Sequence, residues 1–215
     1  MPAGGKKSLV TWAEHRERYR KGCGSDHCKT ARNVCLARGS VPCDVLFVGE
    51  APGFRENDLG VPFVGPAGQL LDEMVAEALG EILLCTGTGR YVEHCPMNCP
   101  HEDRRPRVAF TNVVGCIPLQ DGGDKFKEPD YGQVLDCSGR LAEFVALANP
   151  RLLVACGKVA YDAFDPKYKG SVPFPNGCKL ISVHHPAYIL RANAAQQGLL
   201  RRKWVVTVSN AAGEL

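Results

Sequence analysis

Residues 45–53 read Val45-Leu46-Phe47-Val48-Gly49-Glu50-Ala51-Pro52-Gly53. Four consecutive apolar residues, three of them β-branched or aromatic, make a run too short for a buried helix. With both faces apolar, they predict a strand covered on both sides. The Gly-Glu-Ala-Pro-Gly that follows stops regular structure. The same arrangement recurs three times downstream. Val108–Thr111 leads into Asn112, Leu152–Ala155 is closed by Gly157, and Leu180–Val183 ends at His184-His185-Pro186.

Helices are predicted between these runs. Ala67, Leu70, Leu71, Met74, Val75, Ala78 and Leu79 fall on one face at the helical period. Further helices are expected over 129–147 and 158–164, with a surface helix over 9–21. Leu199, Leu200 and Trp204 give the tail a helical spacing, with a strand at WVVTV as the alternative. Strands alternating with helices predict an α/β fold of three layers, α/β/α, around a mostly parallel central four-stranded sheet. In such sheets, ligands bind beyond the carboxyl ends of the strands. Glu50, Asn112 and His185 all fall there.

A length of 215 residues fits one domain, 1–215. No apolar run approaches the roughly 18 residues of a membrane span, so no membrane partner is expected. MPAGGKKSLV lacks the apolar core of an export signal. Eleven cysteines are an odd number in a chain that is not short, which disfavours a disulfide framework and favours a reduced protein that binds a metal or cluster. The charge is uneven: residues 1–38 carry a net +6, 39–183 a net −6, and 184–215 a net +3. Basic ends of this kind suit a polyanion, although on charge alone a solvated surface is the stronger reading.

GEAPGFRENDLGVPFVGPAGQLLDEM (49–74) closely resembles the first motif of the uracil-DNA glycosylase superfamily, in its family-four, iron–sulfur form. HHPAYILR (184–191) resembles its second motif, and TNVVGC (111–116) the segment between them. ANPRLLVACGKVAYDAF (148–164) is also similar to the family. The resemblance implies a base-excision repair enzyme that flips uracil out of DNA and hydrolyses its N-glycosidic bond, leaving an abasic site. It also implies a monomer that acts on single- or double-stranded DNA; the need for reduced cysteines adds the expectation of the cytoplasm, and of the nucleoid while it acts on DNA.

The chemistry of the residues agrees with this. A flipped base needs a stacking aromatic, polar groups that read its edge, and a way to carry negative charge as it leaves. Phe63 is the candidate stacking ring. The Asn112 amide offers a donor and an acceptor together, matching O4 and N3–H of uracil. His185 is placed to donate to O2 as charge develops there; His184 falls on the opposite side of an extended strand and ranks below it. Glu50 is the candidate for positioning water or stabilising the cationic sugar. Gly49 and the backbone amides of Ala51 and Gly53 are candidates for holding the base. Ala51 matches the small residue that this family carries where some relatives have a water-activating Asp. Glu56 matches the family pattern, whereas Asn57 departs from its usual acidic residue. Leu190 and Arg191 are candidates for the wedge that fills the hole left by the flipped base.

The resemblance implies a [4Fe–4S] cluster held by two cysteines near the N-terminus, over about 20–40, and two around the TN segment. Cys23, Cys28, Cys116 and Cys137 are the expected ligands. The family's first pair is typically separated by two residues, whereas Cys23 and Cys28 are separated by four, so Cys35 is held in reserve. Cys43, Cys156 and Cys178 read as core residues. The segment 85–107 reads as an insertion. Cys85, Cys95, Cys99 and His101 offer a tetrahedral zinc set. The alternative is a basic loop that touches phosphates through Arg104, Arg105 and Arg107.

Three functional readings stand: a monofunctional uracil-DNA glycosylase, a glycosylase of the same fold for another damaged or modified base, and a non-catalytic binder of uracil-containing or single-stranded DNA.

Overall fold

A computed structural model describes residues 10–80, 106–120, 125–167 and 171–215. The central sheet has five strands in the order β1-β3-β2-β4-β5. They are β1 (Arg38–Gly39), β2 (Val45–Gly49), β3 (Val108–Asn112), β4 (Leu152–Cys156) and β5 (Lys179–Val183). β2 through β5 are parallel and match the four predicted runs. The fifth strand corrects the expected count of four. β1 is a two-residue antiparallel edge on β3, and a basic residue followed by glycine leaves no apolar run to read. Its Arg38 is nevertheless buried, lying 4.0 Å over the Phe110 ring and pairing with Asp72.

The side chains of β2 divide by alternation. Leu46 and Val48 face a core built with Leu141, Phe144 and Val145 of α4 (Tyr131–Ala148) and with Ala160 of α5 (Lys158–Asp162). Val45 and Phe47 face a second core, built with Leu71, Met74 and Val75 of α3 (Pro66–Leu79) and with Trp204 and Val208 of α7 (Ala194–Ala212). Helices on both faces explain why these strands read as continuous apolar runs. The tail forms a helix, and the strand alternative at WVVTV does not occur. Among the described residues, no helix is long and apolar enough to cross a membrane.

Three shorter α-helices and a 3₁₀ turn over Asp26–Lys29 complete the described chain; the helices are α1 (Trp12–Arg18), α2 (Phe54–Leu59) and α6 (Pro186–Arg191). The N-terminal helix is shorter than expected and only partly a surface element. A capping box of Thr11 and Glu14 starts it. Its His15 is fully buried among Trp12, Tyr19 and Phe144, with Nδ1 2.8 Å from Glu143 Oε1.

Candidate active site and metal centre

The carboxyl ends of β2, β3 and β5 bring the predicted residues together. Gly49 and Asn112 are register partners at the ends of β2 and β3. A Cβ on Gly49 would lie 2.4 Å from Phe63 Cζ and 2.5 Å from Asn112 Oδ1, so both side chains press against this glycine. The Phe63 ring lies 6.3 Å from the His185 imidazole at an interplanar angle of 28°. Phe63, Asn112 and His185 thus converge on one point beyond the sheet.

Phe63 is held in an unusual conformation, with φ at +56°. A left-handed phenylalanine is strained, and such strain persists only where the surroundings over-determine it. Glu56 supplies part of that determination, as its Oε1 accepts the backbone N–H groups of Val64 at 2.9 Å and Gly65 at 2.7 Å. Arg38 adds to it by donating to the Pro62 carbonyl at 2.9 Å. Gly68 lets α3 close on the loop, because a Cβ there would meet the Phe63 carbonyl oxygen at 2.1 Å.

His185 is the N-cap of α6, and its Nδ1 accepts the Ala187 N–H at 3.2 Å. In the neutral ring the proton therefore sits on Nε2, which remains a donor. Burial, with the Arg191 guanidinium adding to it, holds the imidazole pKa down to about 4. The ring is therefore neutral near pH 7. His184 is exposed on the other side and stacks on Tyr188 at 5.0 Å, as alternation predicts.

Glu50 follows β2, and its carbonyl accepts the Val114 N–H at 3.0 Å. Burial and then the Glu128 carboxylate push its carboxyl pKa up; Arg191 pulls it back. Gly53 caps α2, and its carbonyl accepts from Asn57 at 2.9 Å. Ala51 is half-buried against the α4-side core. Leu190 and Arg191 are exposed at the end of α6. Asn57, the departure from the family pattern, has a structural role. Its Oδ1 accepts the Arg32 N–H at 2.9 Å and ties the cysteine-rich loop to α2.

The four cysteines expected to form one group do so. Cys23 Sγ lies 3.5 Å from Cys28 Sγ and 3.4 Å from Cys137 Sγ, and Cys116 pairs with Cys28. Cys23 and Cys116, hydrogen-bonded by their neighbours, are shifted toward the thiolate; Cys28 and Cys137 are shifted the other way. Gly22, with φ at +88°, makes the cradle possible, because a Cβ there would meet Cys28 Sγ at 2.5 Å and Cys116 Sγ at 3.2 Å. Four convergent soft donors with room kept by a glycine fit a metal centre. His27 joins them as a fifth donor: the sets Cys23–His27–Cys137 and His27–Cys28–Cys116 each hold their ligand atoms within 4.8 Å. Cys35 lies apart, as its thiol donates to the Glu56 carbonyl at 3.1 Å and burial pushes its pKa up to about 12.

Cys43 and Cys156 are buried as expected, and Cys178 is half-buried at the start of β5. Cys85, Cys95, Cys99 and His101 of the zinc alternative lie outside the described residues, as do Arg104 and Arg105. Arg107 is described, and its guanidinium is paired with Asp44 at 3.2 Å.

Arg140 was not anticipated from the sequence. It is 1 % exposed, three residues beyond Cys137 on α4, and donates to the carbonyls of Asn112 and, at 2.9 Å, of Val113. It joins the cysteine group to the strand end that carries Asn112. The available signal was its position on the apolar face of α4, in series with Cys137, Leu141 and Phe144.

Comparison with known proteins gives the family. The family model described as the uracil DNA glycosylase superfamily matches residues 37–210. The chain belongs to the uracil DNA glycosylase superfamily. Relatives named Type-4 uracil-DNA glycosylase include one from Pyrobaculum aerophilum, 30% identical over 81% of this chain and 82% of its own. One from Archaeoglobus fulgidus is 30% identical over 75% and 74%, and one from Thermotoga maritima is 29% identical over 74% and 72%. The crystal structure of wild-type Pedobacter heparinus SMUG2 shares the fold with a TM-score of 0.50 at 13% identity, covering 79% of this chain and 76% of that one. Superfamily membership makes the chain a DNA glycosylase, with DNA as its substrate.

Proposed function

We propose that this protein is a monofunctional uracil-DNA glycosylase. The carrying observation is the His185 imidazole, held neutral by burial with Nδ1 occupied and Nε2–H left to donate. The flipped uracil stacks on Phe63. The Asn112 amide accepts from N3–H and donates to O4, a pattern that cytosine does not offer. As the bond from C1′ to N1 breaks, its electron pair passes to the base and charge gathers on O2. The Nε2–H of His185 meets that charge, which is larger in the transition state than in bound substrate. The Glu50 side chain faces the cationic sugar and orients water, which adds to C1′ and gives its proton, by way of solvent, to the departing uracil anion. Uracil and an abasic site result. No lysine is matched to a motif, so strand cleavage is not expected.

Cys23, Cys28, Cys116 and Cys137 would hold a [4Fe–4S] cluster, which would supply a structural clamp between the N-terminal loop, the TN segment and α4. The relatives' name and the four convergent thiols support this reading. The protein would act as a monomer of 23.3 kDa, in the cytoplasm and at the nucleoid.

The test is a panel of single- and double-stranded oligonucleotides, each with one modified base, scored for alkali-labile abasic sites. Uracil is expected to be released from both forms. Release of another base with uracil untouched, or uracil-dependent binding with no product, would overturn the proposal.

A further inference from the structure

The four residues between Cys23 and Cys28 are Gly24, Ser25, Asp26 and His27. Two of them build a structure around the cysteine group. His27 Nδ1 lies 2.9 Å from Ser25 Oγ, and Ser25 Oγ donates its hydrogen to the Asp136 carboxylate. A hydroxyl has one hydrogen, and this one is committed to Asp136. Ser25 Oγ can therefore only accept from His27, which places the imidazole proton on Nδ1. In the neutral ring, Nε2 is left with a lone pair.

That lone pair faces the cysteines. Nε2 lies 3.7 Å from Cys137 Sγ and 3.8 Å from Cys28 Sγ. His27 is also the member shared by both metal-compatible sets. While the thiols keep their protons, they can donate to Nε2. Once metal binding strips those protons, a nitrogen lone pair faces two thiolate sulfurs, and a proton or a metal ion between them relieves the repulsion. Carboxylate, hydroxyl and imidazole in series resemble the outer-shell arrangement that fixes the tautomer of metal-binding histidines. Ser25 can take this role because its side chain makes no cap to the turn it precedes.

We propose that His27 is a fifth ligand of the metal centre, whose Nε2 takes the coordination position of Cys28 or Cys137 when either sulfur leaves. In the exchange, the thiolate departs with its electron pair and takes a proton from solvent, while Nε2 supplies the new pair. No electron is gained or lost. The inference rests on the cluster reading above.

The test uses the full chain purified without oxygen, with iron and acid-labile sulfide counted per chain. Wild type with no iron would sink the cluster reading itself before any variant is made. With iron present, Cys28→Ala and Cys137→Ala are compared with the same changes combined with His27→Ala. The single cysteine variants are expected to keep iron close to the wild-type count, and the double variants to lose most of it. Pulsed electron paramagnetic resonance of the reduced single variants, with histidine labelled in ¹⁵N, reads the bond directly. A strongly coupled histidine nitrogen is expected. Iron retained without that coupling, or single variants as iron-poor as the doubles, would overturn the assignment while leaving the four-cysteine cluster standing.

Discussion

His185 Nδ1 accepts the backbone N–H of Ala187 at 3.2 Å. Burial, and then the Arg191 guanidinium, oppose charge on the ring and hold its pKa down to about 4; protonation of Nδ1 would also break the bond to Ala187. The acid side of the pH–rate profile should therefore show no histidine step near 6.5. The acid limb should instead follow Glu50, whose carboxyl burial and Glu128 push up, and should disappear in Glu50→Gln. Replacing His185 with alanine should lower kcat by roughly 10²–10³-fold, the usual loss for one donor to a developing oxyanion. A break near 6.5 that vanishes in His185→Asn would contradict the lowered imidazole pKa.

The same ring affects stability. Below about 6.5 the unfolded chain binds a proton on His185, while the folded chain binds it only near 4. Folding stability must fall as the pH drops through that window, because the unfolded state holds more protons there. Urea midpoints between pH 7 and pH 5 should therefore decline more steeply in wild type than in His185→Asn.

Phe63 separates ring from backbone. Removing the ring should cost about 1–3 kcal/mol of base stacking in either Phe63→Ala or Phe63→Gly. The two should differ in stability, because φ at +56° strains alanine and not glycine. Phe63→Gly is expected to melt above Phe63→Ala, with similar losses of kcat/KM. Equal melting temperatures would mean that the loop relaxes when the ring is gone.

The strands were legible because burial on both faces leaves an unbroken apolar run, and α3 because its face repeats at the helical period. β1 left no trace, since two residues hold no pattern. α2 was also unreadable: none of its six residues is buried, so it has no apolar stripe. Of the site, Asn112 and His185 could be placed because one ends a strand and the other follows one by two residues. Arg140 could not, because its partners are backbone carbonyls, and an acceptor present at every residue has no sequence signature. His27 was hidden differently. Its neighbour in space, Cys137, and the Asp136 carboxylate that reaches it through Ser25 lie more than a hundred positions away in sequence.

Arg140 should prove costly to remove. It is a buried cation held by carbonyls of Asn112 and Val113, and it favours the thiolate forms of Cys116 and Cys137. Arg140→Met would leave those carbonyls unpaired, at about 1–3 kcal/mol each. Lower urea midpoints and less iron per chain are expected together. Arg140→Lys keeps the charge but not the forked geometry, so it should restore iron more fully than stability. Normal iron in Arg140→Met would separate the cation from the cysteine group.

Leu190 offers a test that uses the substrate's own structure. It is 41% exposed at the end of α6, beside Arg191, whose charge is felt by both Glu50 and His185. A wedge acts by filling the gap that a flipped base leaves in a stacked duplex, where unstacking costs a few kcal/mol. A single strand has less stacking to disrupt and no opposite base to hold away. Leu190→Ala should therefore slow excision from a duplex by about tenfold or more, if even half of that cost goes uncompensated. Excision from the same sequence as a single strand should change much less. Single-turnover rates on the paired substrates give the ratio directly. An equal loss on both would place Leu190 in the pocket, with no role as a wedge, and a loss confined to duplex carrying a mismatch would point to contact with the opposite strand.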